Sequence, residues 1–596
     1  MTLNLASPFQ ALDFALAESI AQWHQTDDAL FKQSVMAVSY ALQQGHSCLS
    51  LVQCLDEAPY RDMSQFGLPA LPSAADWQTH LSTFGIGPED GSPLVLHNQR
   101  LYLRRYWQFE SELLAFLAER YQQPSSLSQA QLEQARKLLA SYFAPTPGQI
   151  DWQQVAAANS LFSNVSTIIG GPGTGKTHTV TRILALLAGR GDRPLVINLA
   201  APTGKAAQRL AEAIREAKAA LNLDMLVDQA IPNEAHTLHR LLGVIPNRLQ
   251  FRHQGDNPIE ADVLLIDEVS MVDLPLMARL FRAIKPTTRL ILLGDADQLP
   301  TAAARNAFAE DLAAAVADLV RKPHPGYSEA RRSQLQAVGI KLPAASIELG
   351  APLDSVTELT LSRRFAHGSG IGALAQAVIR GDASGSLAVF TDAADLTWLG
   401  AHDLHDCLHG WIRNHYRAIA EQPDLHQAFA HLKTFRILCA LRDGERGVTA
   451  LNDWISQRLN PSRQPFFKGQ PIMVTQNHYG LKLFNGDVGL VWPNEDGQLM
   501  VWFEAEGEPR PVTPGRLPTF ETVYAMTIHK TQGSEFDEVA LVLPDHQSQL
   551  LSRELIYTGL TRAKKRFSCL GTAAVWRAGV TARVDRWAGL AARLQG

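Results

Sequence analysis

Gly170-Gly-Pro-Gly-Thr-Gly-Lys-Thr177 follows an apolar run ending at Ile169 and fits the spacing G-x-x-x-x-G-K-[ST]. In such a loop Gly170, Gly171, Gly173 and Gly175 let successive backbone N–H groups turn toward phosphate oxygens, with Pro172 and Thr174 completing the curve. Lys176 can then reach the β and γ phosphates, and the Thr177 hydroxyl can ligate Mg²⁺. Val263-Leu-Leu-Ile-Asp-Glu268 reads as a strand ending in two carboxylates. That places Asp267 to hold Mg²⁺ through water and Glu268 to act as a general base. A further strand ends in Gly294-Asp-Ala-Asp-Gln-Leu-Pro300, which puts the Gln298 amide at the C-terminal sheet edge, where ligands of open α/β sheets bind. Two arginine-bearing segments stand far downstream, Leu361-Ser-Arg-Arg-Phe365 and Tyr557-Thr-Gly-Leu-Thr-Arg-Ala-Lys564. An arginine reaching across a cleft completes the charge balance of phosphoryl transfer. Between them runs the small polar cluster Ala525-Met-Thr-Ile-His-Lys-Thr-Gln-Gly-Ser-Glu-Phe536.

These residues need sheets to carry them. From Asp151 onward, short β-branched runs alternate with helical stretches: 165–169, 194–199, 263–266 and 289–293. Buried parallel strands have this pattern. A second series at 436–441, 539–543 and 567–570 predicts another α/β domain, interrupted between about 461 and 522 by a Gly/Pro/Asn-rich β insertion around Phe484-Asn-Gly-Asp487. The first 120 residues read as mostly helical. Leu132, Ala135, Leu138, Leu139 and Tyr142 recur at helical spacing until Pro145 and Pro147. The domains expected are therefore 1–122, helical; 123–355, with the nucleotide loop; and 356–596, with the insertion.

The chain has 596 residues, 46% hydrophobic and 19% charged, with no apolar run of the roughly 18 residues a membrane span requires. Its first Lys or Arg is Lys32, so a basic secretory start is lacking and a cytoplasmic location is expected. Cys48, Cys54, Cys407, Cys439 and Cys569 show no C-x-x-C spacing, which points to buried small hydrophobes and away from a disulfide framework. The overall charge of -5 conceals a gradient. Residues 1–120 hold 13 Asp/Glu against 6 Lys/Arg, net -7, whereas residues 551–596 hold 9 Lys/Arg against 2 Asp/Glu, net +7. A polyanion should meet the C-terminal part and avoid the N-terminal part. Tyr102, Tyr106, Trp107 and Phe109 beside Arg100, Arg104 and Arg105 supply residue types enriched at protein interfaces. The N-terminal region is accordingly expected to dock to a protein.

Taken together, the motifs resemble those of the superfamily 1 helicases. Beside the nucleotide loop stand Gln153 as an adenine-sensing glutamine, Ala201-Pro-Thr-Gly-Lys-Ala-Ala207, Ala235-His-Thr-Leu-His-Arg240, Asp267-Glu-Val-Ser-Met-Val-Asp273, Gln298, Arg364, the segment 527–536 and Arg562. Within that superfamily the chain looks like the RecD branch, the alpha subunit of the exodeoxyribonuclease V complex RecBCD. The resemblance implies two RecA-like P-loop motor domains, a helical N-terminal domain and a small SH3-like β insertion. It implies ATP and Mg²⁺ as cofactors, with Gly533 and Glu535 also facing the nucleotide. It further implies a 5′ to 3′ single-strand translocase and DNA helicase that unwinds double-stranded DNA in break repair and recombination. RecB-like and RecC-like chains would complete a heterotrimer, one of them bearing the nuclease site, because no nuclease constellation is evident here. Thr203, Lys205, Thr237 and His239 on the first motor domain, and Thr527, His529 and Lys530 on the second, match family positions that contact DNA. Arg248-Leu-Gln-Phe-Arg-His-Gln-Gly-Asp-Asn-Pro258 reads as a hairpin, where similar helicases split the duplex. Pro300-Thr-Ala-Ala-Ala-Arg305 departs from the Ser-Val-Glu-Ala-Gly-type continuation expected of the family. A stand-alone helicase and a non-hydrolysing structural subunit remain the alternatives.

Overall fold

In the computed structural model, which describes residues 8–122, 127–144, 149–190, 193–245, 248, 250–295, 297–298, 326–343, 354–362, 364–365, 368–400, 402–505, 508–548, 550–584, 586–590 and 593, the acidic N-terminal region is not purely helical. Helices Ala11–Trp23 and Ala29–Gln43 are joined by a three-stranded antiparallel sheet of β1 (Leu49–Ser50), β2 (Leu94–His97) and β3 (Arg100–Leu103), in the order β1-β3-β2. The aromatic and arginine stretch is thus β3 running straight into helix Arg104–Gln122. Tyr102 and Phe109 are buried in core clusters, so they offer no docking surface. Arg104 is spent on the carbonyls of Pro88 at 2.8 Å and Gly87 at 3.0 Å.

That helix bolts the N-terminal region to the first motor domain. Phe109, Leu113 and Leu117 enter a core with Met277, Leu280 and Phe281. The rings of Phe116 and Phe281 stack at 3.9 Å, and Arg282 makes two 2.7 Å bonds to the Glu112 carboxylate.

The first motor sheet contains β4 (Val165–Gly170), β5 (Ile197–Ala201), β6 (His236–Thr237), β7 (Val263–Ile266), β8 (Arg289–Gly294) and β9 (Val356–Leu359). All are parallel, in the order β6-β5-β7-β8-β4-β9. β4 and β7 are buried along their whole lengths, as strands covered on both faces must be. The domain boundary expected at 355/356 is corrected here: β9 hydrogen-bonds to β4 and completes the first sheet, so the boundary lies beyond Leu359.

In the second motor domain helices Gly370–Ile379 and Ala383–Asp392 precede β10 (Leu396–Gly400) and β11 (Phe435–Cys439), after which the sheet is interrupted. The insertion is a five-stranded antiparallel sheet of β12 (Pro471–Val474), β13 (Val488–Pro493), β14 (Leu499–Ala505), β15 (Glu508–Val512) and β16 (Phe520–Thr522), ordered β15-β14-β13-β12-β16. The chain returns through β17 (Ala525–Thr527), β18 (Phe536–Val542) and β19 (Ala563–Leu570), giving a parallel sheet β10-β19-β18-β11-β17. All five cysteines are free thiols, four of them buried. Among the described residues no helix is long and apolar enough to cross a membrane.

The C-terminal segment leaves the second motor domain and lands on the N-terminal one, so the span 356–596 is not one domain. Trp587 is buried in the N-terminal core and stacks on His46 with ring centroids 4.0 Å apart. Burial, and then the charge of Arg586, push His46 down to about 4, leaving Nδ1 to accept the Trp587 N–H at 3.0 Å. Glu110, fully buried, accepts from Ser47 Oγ at 2.8 Å, Gly589 N at 3.3 Å and Arg593 Nη1 at 3.3 Å. Trp587→Ala should therefore cost about 3–5 kcal/mol, the range for emptying an aromatic site in a core. Thermal unfolding followed by N-terminal proteolysis checks this: the mutant should melt earlier and be cut first between residues 8 and 103. A melting curve identical to wild type would show that the segment is not held there.

Candidate nucleotide and nucleic-acid sites

β4 lies between β8 and β9, so its C-terminal loop opens where strand order reverses, the position at which open α/β sheets bind ligands. Gly173 and Gly175 have φ of +75° and +80°, a region that disfavours a side chain. Close neighbours demand glycine as well: a Cβ on Gly175 would lie 2.5 Å from Gln153 Nε2, and one on Gly173 would strike Arg364 Cβ. Gln153 sits in helix Trp152–Leu161, capped by Asp151, and its amide donates to Thr174 O at 2.8 Å. Lys176 opens helix Lys176–Ala188, and its ammonium donates to the loop carbonyls of Gly170 at 2.5 Å and Gly171 at 3.2 Å. Thr177 follows on the same first turn.

Asp267 leaves the end of β7 with its N–H on Ala200 O at 2.9 Å, and its Oδ1 accepts the Glu268 N–H at 2.8 Å. Glu268 has φ of +51°, an uncommon backbone for a non-glycine residue and one found preferentially at functional sites. Burial pushes the Asp267 carboxyl well above the usual range and the Glu268 charge adds to it, while Lys176 and Arg209 oppose. Asp295, at the end of β8, is likewise raised by burial and opposed by Lys176. Both acids therefore lie in the field of Lys176.

The second motor domain closes over this edge. Gln298 Nε2 donates to Asp295 Oδ2 at 2.8 Å, and Gln298 Oε1 accepts Arg562 Nη2 at 2.7 Å. Arg562 is buried and also donates to Thr558 O at 3.1 Å. Burial lowers its pKa against the fields of Glu268, Glu535 and Asp295. Tyr557 donates to Asp295 Oδ2 at 3.4 Å. After β9, Ser362 Oγ donates to Pro172 O at 3.0 Å, and Arg364 Nη2 binds Glu535 Oε1 at 2.6 Å. Burial alone would raise Glu535, but Arg364, Arg209 and Lys564 hold it below its ordinary value. Gly533, with φ of +71°, offers its carbonyl to Arg209. Gln153, the loop, Asp267, Glu268, Gln298, Arg364, Arg562, Gly533 and Glu535 thus meet in one cleft. Glu535, expected to face nucleotide, is engaged by arginines.

The nucleic-acid candidates fall into two groups. Thr237 ends β6 and Thr203 stands two residues beyond the end of the neighbouring β5, since Ala201 pairs with Thr237. Each caps the helix that follows, Thr203 accepting from Ala206 N and Thr237 from Arg240 N, both at 3.2 Å, and His239 lies exposed two residues beyond Thr237. Burial pulls the half-buried Lys205 ammonium down to about 8, assisted by Arg209 and Arg436 and opposed by Asp487 of the insertion. In the second domain Thr527 ends β17, burial lowers His529, and Lys530 forms an ion pair with Glu521 of β16. Among the described residues no hydrogen bond or ion pair links the two groups.

Residues 6–102 match the family model for the RecBCD enzyme subunit RecD N-terminal domain, 153–304 match an AAA domain and 522–567 a UvrD-like helicase C-terminal domain. The RecBCD enzyme subunit RecD of Mycobacterium tuberculosis is 36% identical over 99% of this chain and 96% of its own length; that of Haemophilus influenzae is 34% identical over 94% and 92%. The chain belongs to the RecD family. It is an ATP-dependent DNA helicase. The ATP-dependent RecD2 DNA helicase of Deinococcus radiodurans is 29% identical, but the match takes in only 53% of that longer protein. Among solved structures, a Pif1 helicase complex at forked duplex DNA is similar at TM-score 0.37 and 16% identity over 70% of this chain and 92% of that one.

For a RecD-family motor the site holds three residues with no role in the sequence reading: Arg209, Asp295 and Tyr557. Asp295 and Tyr557 lie inside the motif runs, where the only local signal was their closeness to Gln298 and Arg562. Arg209 carries none, because only the fold brings helix Gly204–Ala219 against Gly533. The segment 248–258 is a tighter object than a two-stranded ribbon. Gln254 and Asn257 close a turn on each other at 3.2 and 3.0 Å, while Arg252 and His253 bond back to Gly243 and Leu242. Phe251 packs on the first motor core, and Arg279 lies 5.5 Å from its ring centroid. The departure at Pro300–Arg305 lies outside the described residues.

Proposed function

We propose that this RecD-family chain walks 5′ to 3′ along one DNA strand, as the RecD-like subunit of a cytoplasmic heterotrimer with RecB-like and RecC-like partners that process broken DNA ends. The observation carrying this reading is the match of residues 6–102 to the RecD N-terminal domain model, together with 34–36% identity to the RecD relatives in Haemophilus and the mycobacteria against 29% to the RecD2 helicase. A stand-alone helicase of the RecD2 kind is therefore the weaker reading. Mg²⁺ accompanies ATP in this proposal, held by the Thr177 hydroxyl and Asp267. A hydroxyl one step past the loop lysine and a buried carboxylate are the hard oxygen donors this ion prefers. Bound there, the ion would neutralise phosphate charge. Glu268 serves as general base, and Arg364 and Arg562 meet the charge that develops on the transferred phosphoryl group. Thr203, Lys205, Thr237 and His239, with Thr527, His529 and Lys530, contact the DNA backbone. Hydroxyls, amides and cations on both domains suit a motor that reads no sequence.

Unwinding assays on 5′-tailed and 3′-tailed duplexes test polarity. The 5′-tailed substrate should open and the 3′-tailed one should not, and the opposite result reverses the assignment. Affinity purification of the chain from its native extract should bring down two partner chains in equal amounts. Recovery of the chain alone would favour the stand-alone reading.

A further inference from the structure

Helix Gly204–Ala219 starts at the Thr203 cap, and its rotation is fixed by the buried face Ala206, Ala207, Leu210, Ala211 and Ile214. Lys205 and Arg209 are four residues apart and so share one face of the helix, about 6 Å apart along the axis. The Lys205 end meets the insertion: a Cβ on Gly204 would lie 3.5 Å from Phe484 Cβ. One turn later the Arg209 guanidinium reaches the other motor domain, where it donates to Gly533 O and lies 3.5 Å from Glu535 Oε2. The opposite oxygen of the same carboxylate holds Arg364 at 2.6 Å. Ser362, two residues before Arg364, is bonded to the nucleotide loop at Pro172 O. A single stiff helix therefore touches the proposed DNA path at one end and an arginine of the nucleotide cleft, through one shared carboxylate, at the next turn.

We propose that Arg209 is a positioning residue that links DNA contact at the start of its helix to the freedom of Arg364, acting through Glu535. This rests on the reading that Thr203 and Lys205 touch DNA phosphates. Lys205 and Arg209 are like charges on one face and repel each other. A phosphate seated at Lys205 cancels that repulsion and so changes the hold of Arg209 on Glu535 Oε2. The share of the carboxylate left to Arg364, and with it the freedom of that guanidinium, changes in turn. Lys564 also lies 3.7 Å from Oε2, but it stands on β19 and not on the helix that carries Lys205.

The test is the ratio of ATP turnover at saturating oligo(dT) to turnover without DNA, measured on the full chain. Arg209→Gln should lower this ratio about tenfold, within the range of measured allosteric couplings. Arg209→Lys should restore it partly, since one ammonium cannot reach both Gly533 O and the carboxylate. In a Glu535→Gln background the Arg209→Gln change should bring no further loss, because the two act in series. A ratio unchanged in Arg209→Gln, a parallel fall of both rates, or additive losses in the double mutant would each overturn the proposal. Fluorescence anisotropy with oligo(dT) separates it from the underlying reading. Lys205→Gln should weaken DNA binding; unchanged affinity would sink the DNA role of Lys205, whereas weakened binding together with an intact Arg209→Gln ratio sinks the coupling alone.

Discussion

Lys176→Gln is expected to cut ATP turnover, and unwinding with it, by about 10³-fold or more. Lys176 is the cation of the nucleotide loop, bonded to Gly170 O and Gly171 O, and its charge also restrains the buried acids Asp267 and Asp295. Glutamine removes the loop's positive charge for the β and γ phosphates and at once leaves those two carboxylates with less to balance them. The electrostatic potential offered to a triphosphate then falls twice over, and in a buried site such terms are far larger than in water. The fold should survive, because the aliphatic part of the side chain is retained and the helix cap is a backbone feature at Gly175. ATPase of the isolated mutant chain, with a thermal melt as control, decides the matter. Turnover near wild type in a folded mutant would mean that the phosphates bind elsewhere.

What could be read from the residues alone divides along physical lines. β7 falls at the expected Val263–Ile266 because a strand buried on both faces is an unbroken apolar run that ends where carboxylates appear. The nucleotide loop was legible because its glycines are demanded by backbone shape and by neighbours in contact. β6 and β9 were missed: His236–Thr237 is only two residues long, and Val-Thr-Glu-Leu, an edge strand with two adjacent polar residues at its centre, shows neither an apolar run nor an alternation. β3 escaped because Arg104 starts a helix directly after it, without a glycine or proline between. The anchoring of Trp587 on His46 joins positions 541 residues apart, and nothing local at either announces it. The same distance argument covers Lys530. Its type suits a phosphate contact, yet the return of the insertion through β16 sets Glu521 beside it. Residue type and order gave the chemistry of the cleft, whereas which cations are already partnered depended on tertiary placement.

Arg562→Ala and Arg364→Ala should each cut DNA-stimulated turnover by about 10³, the scale of a lost arginine finger, while nucleotide affinity shifts only modestly. The two arginines reach the cleft from different elements. Arg562 follows helix Arg553–Leu560 and is tied by its guanidinium to Gln298, Thr558 O and Ser534 O, so it sits at the strand edge that carries Asp295 and Glu268. Its removal leaves the Gln298 carbonyl without that donor and withdraws the cation that offsets Glu268. Arg364 follows β9 and contacts the loop by its Cβ over Gly173, an atom that alanine retains. Ground-state binding through the loop N–H groups, Lys176 and Gln153 is therefore preserved in both mutants, and the loss falls on the transition state. Arg562→Lys should not rescue, because an ammonium cannot span three acceptors held in different directions. Turnover at saturating ATP and single-stranded DNA, together with the Kd of a fluorescent nucleotide, separates the two effects. If either mutant turned over at the wild-type rate, its arginine would have no part in the chemistry; if affinity collapsed together with turnover, that arginine would be holding the ground state instead.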